Sequence, residues 1–307
     1  MNYLLVYLKG IAMGAADVVP GVSGGTIAFI SGIYETLIQS LRSFDLKAAQ
    51  YLLKFDLQRF WQHINGTFLV SLLAGIGTSI LLLSKLVLYL LDTYPILVWS
   101  FFFGLILASI VLVGKTIQKV NFMVILMGII GIIIAYITTV AAQIQTPDAL
   151  WFIFLSGMIA ICAMILPGIS GSFLLVILGK YEYILSSLTE RNFPVIIVFS
   201  LGCVIGLLAF SHFLNWLFEK YHNQAIALLT GFMIGAMNKV WAWKNVLQTY
   251  TDRHGKVKPL VTENVLPADY ELLTGQDSFL IPAIVMTVVG FLLVYGLDRF
   301  ANSKTLV

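Results

Sequence analysis

The chain has 307 residues, 59% of them hydrophobic and only 11% charged, with 18 Lys and Arg against 15 Asp and Glu for a net charge of +3; soluble domains carry roughly a quarter charged residues. These proportions, with a mean hydropathy of +0.94, identify a polytopic membrane protein and exclude a soluble globular enzyme. The small net charge, with no basic run interleaved with aromatics, excludes a nucleic-acid partner, and Cys162 and Cys203 both fall in apolar segments where neither a disulfide nor a metal framework is implied.

In chain order, the first apolar block, 3–41, contains Lys9 and has no small-residue cleavage site, so it is read as part of the mature protein and not as a signal peptide. Near its middle stands Pro20-Gly21-Val22-Ser23-Gly24-Gly25-Thr26. The arms on either side have about 15 to 18 residues, which at 1.5 Å per residue reach roughly 22 to 27 Å, short of the hydrocarbon thickness of about 30 Å. A re-entrant helical hairpin is therefore expected over 3–41. Residues 44–63 mix Lys47, Lys54 and Arg59 with Leu46, Leu52, Leu53, Leu57, Phe60 and Trp61 and read as an interfacial helix, with a solvated loop as the alternative. Three transmembrane helices follow, near 67–91, 95–113 and 121–143.

A second interrupted block, 149–188, predicts a second re-entrant hairpin around Pro167-Gly168-Ile169-Ser170-Gly171-Ser172-Phe173. Spans near 194–217 and 222–241 come next. The extramembrane loop 244–278 contains Val257-Lys258-Pro259-Leu260-Val261 and Leu266-Pro267-Ala268-Asp269-Tyr270 with Gly255 and Gly275 as turn markers. It reads as a small hairpin cap or a disordered linker. A last span lies near 279–298.

The two interruptions are copies. From Pro20 and Pro167 to Glu35 and Glu182, eight of sixteen positions are identical at an offset of 147, including Gly32/Gly179 and Tyr34/Tyr181. Beyond them the offset drops to 127, matching Gly75 with Gly202, Ser84 with Ser211, Tyr94 with Tyr221 and Gly104 with Gly231. The expected fold is an all-α polytopic membrane protein of two repeats, 1–143 and 149–300, each a hairpin plus three transmembrane helices. A hairpin and three crossings make the repeats inverted in topology, which places a binding site near the midplane at the broken helices. With both termini in the cytoplasm, ten Lys and Arg lie inside (Lys9, Arg42, Lys47, Lys54, Arg59, Lys115, Lys119, Lys220, Arg299 and Lys304) and eight outside, five of these in or beside 239–278. Short loops weigh most, and 144–148 has none, so that orientation is expected.

Proline at the first turn of a helix followed by Ser-Gly-Gly or Ser-Gly-Ser leaves amides free at the start of the next arm, and such a start attracts anions, phosphate above all. Ser23, Thr26, Ser170 and Ser172 add hydroxyls, while Gly24, Gly25 and Gly171 allow main-chain approach. The competing reading is that these small residues serve helix packing or a kink. Lys85 and His212 occupy matching positions at membrane depth, where ionisable groups are costly; either could meet an anionic head group, or Lys85 could snorkel and His212 merely pack. Glu35 and Glu182, with Tyr34 and Tyr181 beside them, are candidates for gating or coupling, or else salt-bridge partners of Arg42, Lys180 or Arg191. Asp17 has Met164 as its counterpart; an ionised acid beside an anion cradle is repulsive, so protonation or cation binding is expected there.

Gly14-Ala15-Ala16-Asp17-Val18-Val19-Pro20-Gly21-Val22-Ser23-Gly24-Gly25-Thr26, together with Leu166-Pro167-Gly168-Ile169-Ser170-Gly171-Ser172, resembles the PopT family of bacterial membrane proteins over essentially the whole chain. The resemblance implies a flippase of the plasma membrane that returns undecaprenyl phosphate, the lipid carrier of peptidoglycan and other envelope polymers, to the cytoplasmic leaflet. It also implies coupling to protons or sodium and no cofactor. Spacing alone supports only an anionic ligand at a midplane site. Two rivals stand beside it. A transporter of a small soluble anion fits the same helix termini. Undecaprenyl pyrophosphate phosphatases of the BacA type share re-entrant hairpins and a Pro-Gly-x-Ser-Arg-Ser-Gly signature, but that arginine is missing from both loops here, and phosphoanhydride hydrolysis needs strong charge stabilisation.

Overall fold

The computed structural model describes residues 2–19, 22–141, 144, 146–251 and 257–303; Pro20, Gly21 and the turn marker Gly255 lie outside the described residues. The first half runs α1 (Tyr3–Val18), α2 (Gly24–Ile30), α3 (Tyr34–Arg42), α4 (Leu46–Leu53), α5 (Leu57–His63), α6 (Gly66–Thr93), α7 (Pro95–Gly114) and α8 (Phe122–Val140). The second runs α9 (Leu150–Ile165), α10 (Gly171–Ile177), α11 (Tyr181–Thr189), α12 (Phe193–Val240), strands β1 (Lys244–Thr251) and β2 (Val257–Asn264), α13 (Pro267–Thr274) and α14 (Leu280–Ser303). Local chemistry starts several of these helices. Asn2 accepts from Leu4 N–H, Asp45 from the Lys47 and Ala48 amides, Asp56 from Arg59 N–H and Asn121 from Val124 N–H, each satisfying an amide with no helical acceptor.

The duplication extends to the element boundaries. At the offset of 147, α1 coincides with α9, α2 with α10 and α3 with α11, first residue on first and last on last. At the offset of 127, Gly66 at the start of α6 falls on Phe193 at the start of α12. Tyr94, between α6 and α7, falls on Tyr221, whose φ of −135° and ψ of 49° interrupt α12. Packing repeats too. A Cβ on Gly10 would enter the Leu72 carbonyl of α6, and one on Gly75 the Tyr7 carbonyl; their counterparts Gly157 and Gly202 stand in the same relation to Phe199 and Phe154. Glycine at these four positions is what lets the helix backbones touch.

The chain forms two compact units, Met1–Leu88 with Leu112–Ala236, and Tyr89–Val111 with Met237–Val307. These are not the sequence halves, because the third long helices are exchanged. Within the first unit, α8 packs on α12 through Gly131 against Leu228 and Gly231 against Gly128. Within the second, α14 packs on α7 through Gly290 against Phe101 and Gly104 against Thr287.

The second unit also carries the connection 244–278. There β1 and β2 pair antiparallel, from Lys244 with Asn264 to Thr251 with Val257, an exception to an otherwise helical fold. The Trp241 and Trp243 indoles donate to the Val265 and Ser278 carbonyls at 2.8 Å each, fastening the hairpin to the helix ends. The Leu266–Tyr270 stretch, expected as part of a hairpin, instead leads into a helix: Pro267 suits its first turn and Gly275, with φ of +67°, ends it. Lys244 Nζ lies 4.5 Å from the Trp99 ring and donates to the Lys239 carbonyl at 2.5 Å. Burial, with the Lys239 charge adding to it, pushes the Lys244 ammonium down to about 7.

Two further expectations are corrected. The second arm of each hairpin is not one helix: it breaks at Ser31–Ile33 and again at Leu178–Lys180, where Gly32 and Gly179 have φ of +71° and +65°, a conformation that glycine adopts without penalty. α10 and α11 meet there at 105°. Residues 44–63 form two helices rather than one, because Phe55 turns with φ of +54° and Asp56 caps a new start; His63 Nε2, 3.0 Å from Asp45 Oδ1, closes the pair. Among the described residues four helices are long and apolar enough to cross a membrane, or five if α10 and α11 count as one bent span.

Candidate functional site

Both interrupted blocks lie in the first unit, and their breaks meet. The Ser23 hydroxyl donates to the Met164 carbonyl at 3.0 Å, and the Thr26 hydroxyl accepts from Gly168 N–H at 2.9 Å. Both side chains are buried. A Cβ on Gly25 would run into the Ile165 carbonyl, and a Cβ on Gly171 into the Ala160 carbonyl, so the glycines of both copies are needed for this approach. Between the breaks a cavity of about 130 Å³ is lined by Asp17, Val22, Ser23, Met164, Ser170, Gly171 and Ser172.

The free amides expected at the start of each second arm occur in one copy only. In α2, Gly24 N–H donates to Asp17 Oδ1 at 2.6 Å, Gly25 N–H to Ser23 Oγ at 3.1 Å and Thr26 N–H to the Ser23 carbonyl at 2.9 Å. In α10 the capping residue Ser170 makes no side-chain hydrogen bond to the helix. Its Oγ lies 3.0 Å from Ser172 Oγ, and both hydroxyls are accessible from the cavity. The second copy thus offers hydroxyl donors and an uncapped helix start, while the first supplies the frame and a carboxylate.

Lys85, on α6, is exposed, and His212, on α12, is exposed with Nδ1 2.8 Å from the Leu208 carbonyl of its own helix. Neither lines the cavity. Glu35 is exposed and lies 3.2 Å from His222 Nε2 rather than beside Arg42, which pairs with Glu219 at 2.9 Å. Glu35 and Glu219 share a smaller cavity of about 90 Å³ with Ile38, Gln39, Asn215 and Phe218. Tyr34 is fully buried between Phe29 and Phe218, and its hydroxyl has no hydrogen-bond partner among the described residues. Glu182 and Tyr181 are exposed on α11.

Lys180, weighed only as a partner for Glu182, is 2% exposed and paired with Asp148; it also donates to the Thr146 carbonyl at 2.8 Å. Thr146 in turn donates to the Leu178 carbonyl at 2.5 Å. In the other copy Lys9 Nζ donates to the Ser31 carbonyl at 2.5 Å. A lysine therefore braces each glycine break, and a lysine within an apolar segment was the signal for it. His222, Asn215 and Glu219 are polar residues midway along α12, around its interruption at Tyr221, and nothing in their spacing points to Glu35 or Arg42.

Among the described residues that line the larger cavity, one acid and three hydroxyls are the polar side chains, with no cation. Hydroxyls and an uncapped helix start are donors of the kind that anions accept from, and among the described residues no lysine or arginine lines this cavity. The family model described as undecaprenyl phosphate translocase-like matches residues 13–258. A polyprenyl-phosphate transporter of Vibrio cholerae is 46% identical over 303 residues, 99% of this chain and 98% of that protein. A polyprenyl-phosphate transporter of Staphylococcus aureus is 33% identical over 252 residues, 76% of this chain and 84% of that one. No solved structure matches.

Proposed function

We infer the function from one premise: the chain belongs to the undecaprenyl phosphate translocase-like family. It is a membrane transporter and not an enzyme, and its cargo is polyprenyl phosphate, with undecaprenyl phosphate the species. A phosphate monoester does not cross hydrocarbon unaided, since transfer of an ion into low dielectric costs on the order of tens of kcal/mol by Born reasoning. The Ser170 and Ser172 hydroxyls and the open start of α10 replace hydration of the head group in the cavity, while the polyprenyl tail stays in lipid.

The repeats 1–143 and 149–300 are inverted, and each carries one re-entrant hairpin that ends at the bilayer midplane. The coincident element boundaries and the exchanged packing of α8 and α14 support this reading. Rocking one copy against the other exposes the cavity to each leaflet in turn. With both termini cytoplasmic in the plasma membrane, the carrier returns from the outer to the inner face, coupled to protons or sodium. Asp17 is the coupling group in the cavity, and Glu35 and Glu182, with Tyr34 and Tyr181, gate the hairpin ends. Lys85 and His212, exposed and outside the cavity, meet the head group on its approach. The carrying observation is the meeting of the two breaks around one cavity.

Reconstitution of the full chain into vesicles with labelled undecaprenyl phosphate tests this. Wild type moves the label between leaflets, Ser170→Ala and Ser23→Ala slow it by an order of magnitude, and Lys85→Ala slows only the approach at low lipid concentration. Movement unaffected in all three variants would rule the cavity out as the transport site.

A further inference from the structure

The two loops around the cavity begin from matching sequence and end with opposite electrostatics. α10 starts without a side-chain cap. α2 starts with its first amides occupied, and the Gly24 amide is held by a carboxylate seven residues upstream, at 2.6 Å. The counterpart of Asp17 in the second copy is Met164, so the acid that occupies the Gly24 amide is present in the first copy alone. A Cβ on Gly24 would lie 2.5 Å from Asp17 Oδ2; glycine there makes room for the acid. Asp17 also lines the cavity itself. Its carboxylate oxygen stands where a phosphate oxygen would stand if the first copy bound an anion as a bare helix start does.

An ionised Asp17 and a phosphate in the same cavity repel each other across a few ångströms of poorly screened space. We propose that Asp17 is a resident anion of the transport site, holding the Gly24 amide when ionised and, once protonated, yielding that amide to the phosphate and donating its own O–H to a phosphate oxygen. This rests on the reading of the chain as a polyprenyl phosphate translocase. One proton from the aqueous phase adds to the carboxylate as the head group enters and leaves as it departs, so each head group travels with one proton. No covalent bond forms or breaks.

The surroundings of Asp17 keep the assignment simple. Among the described residues lining the cavity it is the one titratable group. On its own helix, Lys9 is bound to the Ser31 carbonyl. From α6, packed on α1 at Gly14, the facing residue is Ser79. From α9, the Cys162 thiol is turned to the Gly206 carbonyl at 3.7 Å. From α10 come Ser170 and Ser172.

The test compares wild type, Asp17→Asn and Asp17→Glu in vesicles with labelled undecaprenyl phosphate from about pH 5.5 to 8.5. The phosphate monoester loses its own second proton near pH 6, so the difference between variants, and not the wild-type profile, is decisive. Wild type slows about tenfold or more toward high pH and is driven by an imposed proton gradient. Asp17→Asn, which keeps the acceptor for Gly24 but cannot titrate, loses both responses beyond the part due to the lipid, and Asp17→Glu regains them. Asp17→Asn with the full wild-type pH response and gradient drive would overturn the proposal while leaving the transport reading intact. Absence of lipid movement by wild type at every pH would sink the transport reading. The proposal is then still judged by infrared difference spectra of solubilised wild type: a protonated-carboxyl band that rises on adding dodecyl phosphate and is missing in Asp17→Asn supports it, and no such band refutes it.

Discussion

The hydroxyl of Thr26 accepts a hydrogen bond from the backbone amide of Gly168 at 2.9 Å, joining residues 142 positions apart in the two copies of one motif. Thr26 is 1% exposed. Thr26→Val keeps the shape and strands a buried amide, a loss of about 1 to 3 kcal/mol. Thermal melting of the solubilised protein should fall accordingly, while Thr26→Ser stays near wild type.

Gly25 lies against the Ile165 carbonyl, with no room for a methyl group between them. Backbone is the obstacle, so the clash is not relieved by a rotamer change, and Gly25→Ala should cost on the order of 1 to 3 kcal/mol as overpacking. Gly77, which has open space on the same scale, serves as the control: Gly77→Ala is expected to melt with wild type, and transport should fall in the Gly25 variant alone.

Ser170 and Ser172 have each other as partners, through their hydroxyls 3.0 Å apart. Removing both leaves the fold unharmed and deletes two donors to a charged ligand. At roughly 1.5 to 3 kcal/mol per hydrogen bond to a charged group, the Ser170→Ala/Ser172→Ala protein should bind a short-chain prenyl phosphate at least tenfold more weakly, with an unchanged melting temperature. Equilibrium binding in detergent measures the first and calorimetry the second.

Lys244 carries a pH signature of its own. Its folded value is depressed to about 7 from an unfolded value near 10.4. Below about pH 7 both states hold the proton, and the cost of burying the ammonium is fully present. Between about pH 7 and 10 the unfolded state binds more protons, so stability rises with pH. A depression of this size corresponds to a rise on the order of 4 kcal/mol across that window. Lys244→Met should flatten the melting profile between those limits, and tryptophan fluorescence of wild type should titrate near pH 7.

Much of this architecture can be read along the chain because it is written twice. Matching Pro-Gly-x-Ser-Gly stretches located both breaks, and Tyr94 with Tyr221 marked a second pair of interruptions. The reading failed where one residue's backbone decides. Gly32 and Gly179 looked like further matches, and only their positive φ reveals that the second arms turn. Phe55, with φ of +54°, splits the helix expected over 44–63 without any Gly or Pro to announce it. Long-range pairing was hidden as well: Glu35 finds His222, 187 residues away, over the nearer Arg42. The Asp17 cap on Gly24 was missed because it spans a break, whereas a capping side chain ordinarily sits two or three residues before its amide.

The central claim is that the head group rests between the two breaks, and photochemical capture tests it most directly. Undecaprenyl phosphate bearing a photoreactive group beside the phosphate, incubated with the reconstituted full chain and irradiated, should label peptides containing 17–26 and 164–173, with labelling competed by unmodified lipid. Competable labelling confined to the cavity of Glu35 and Glu219, or to the 244–278 connection, would contradict it.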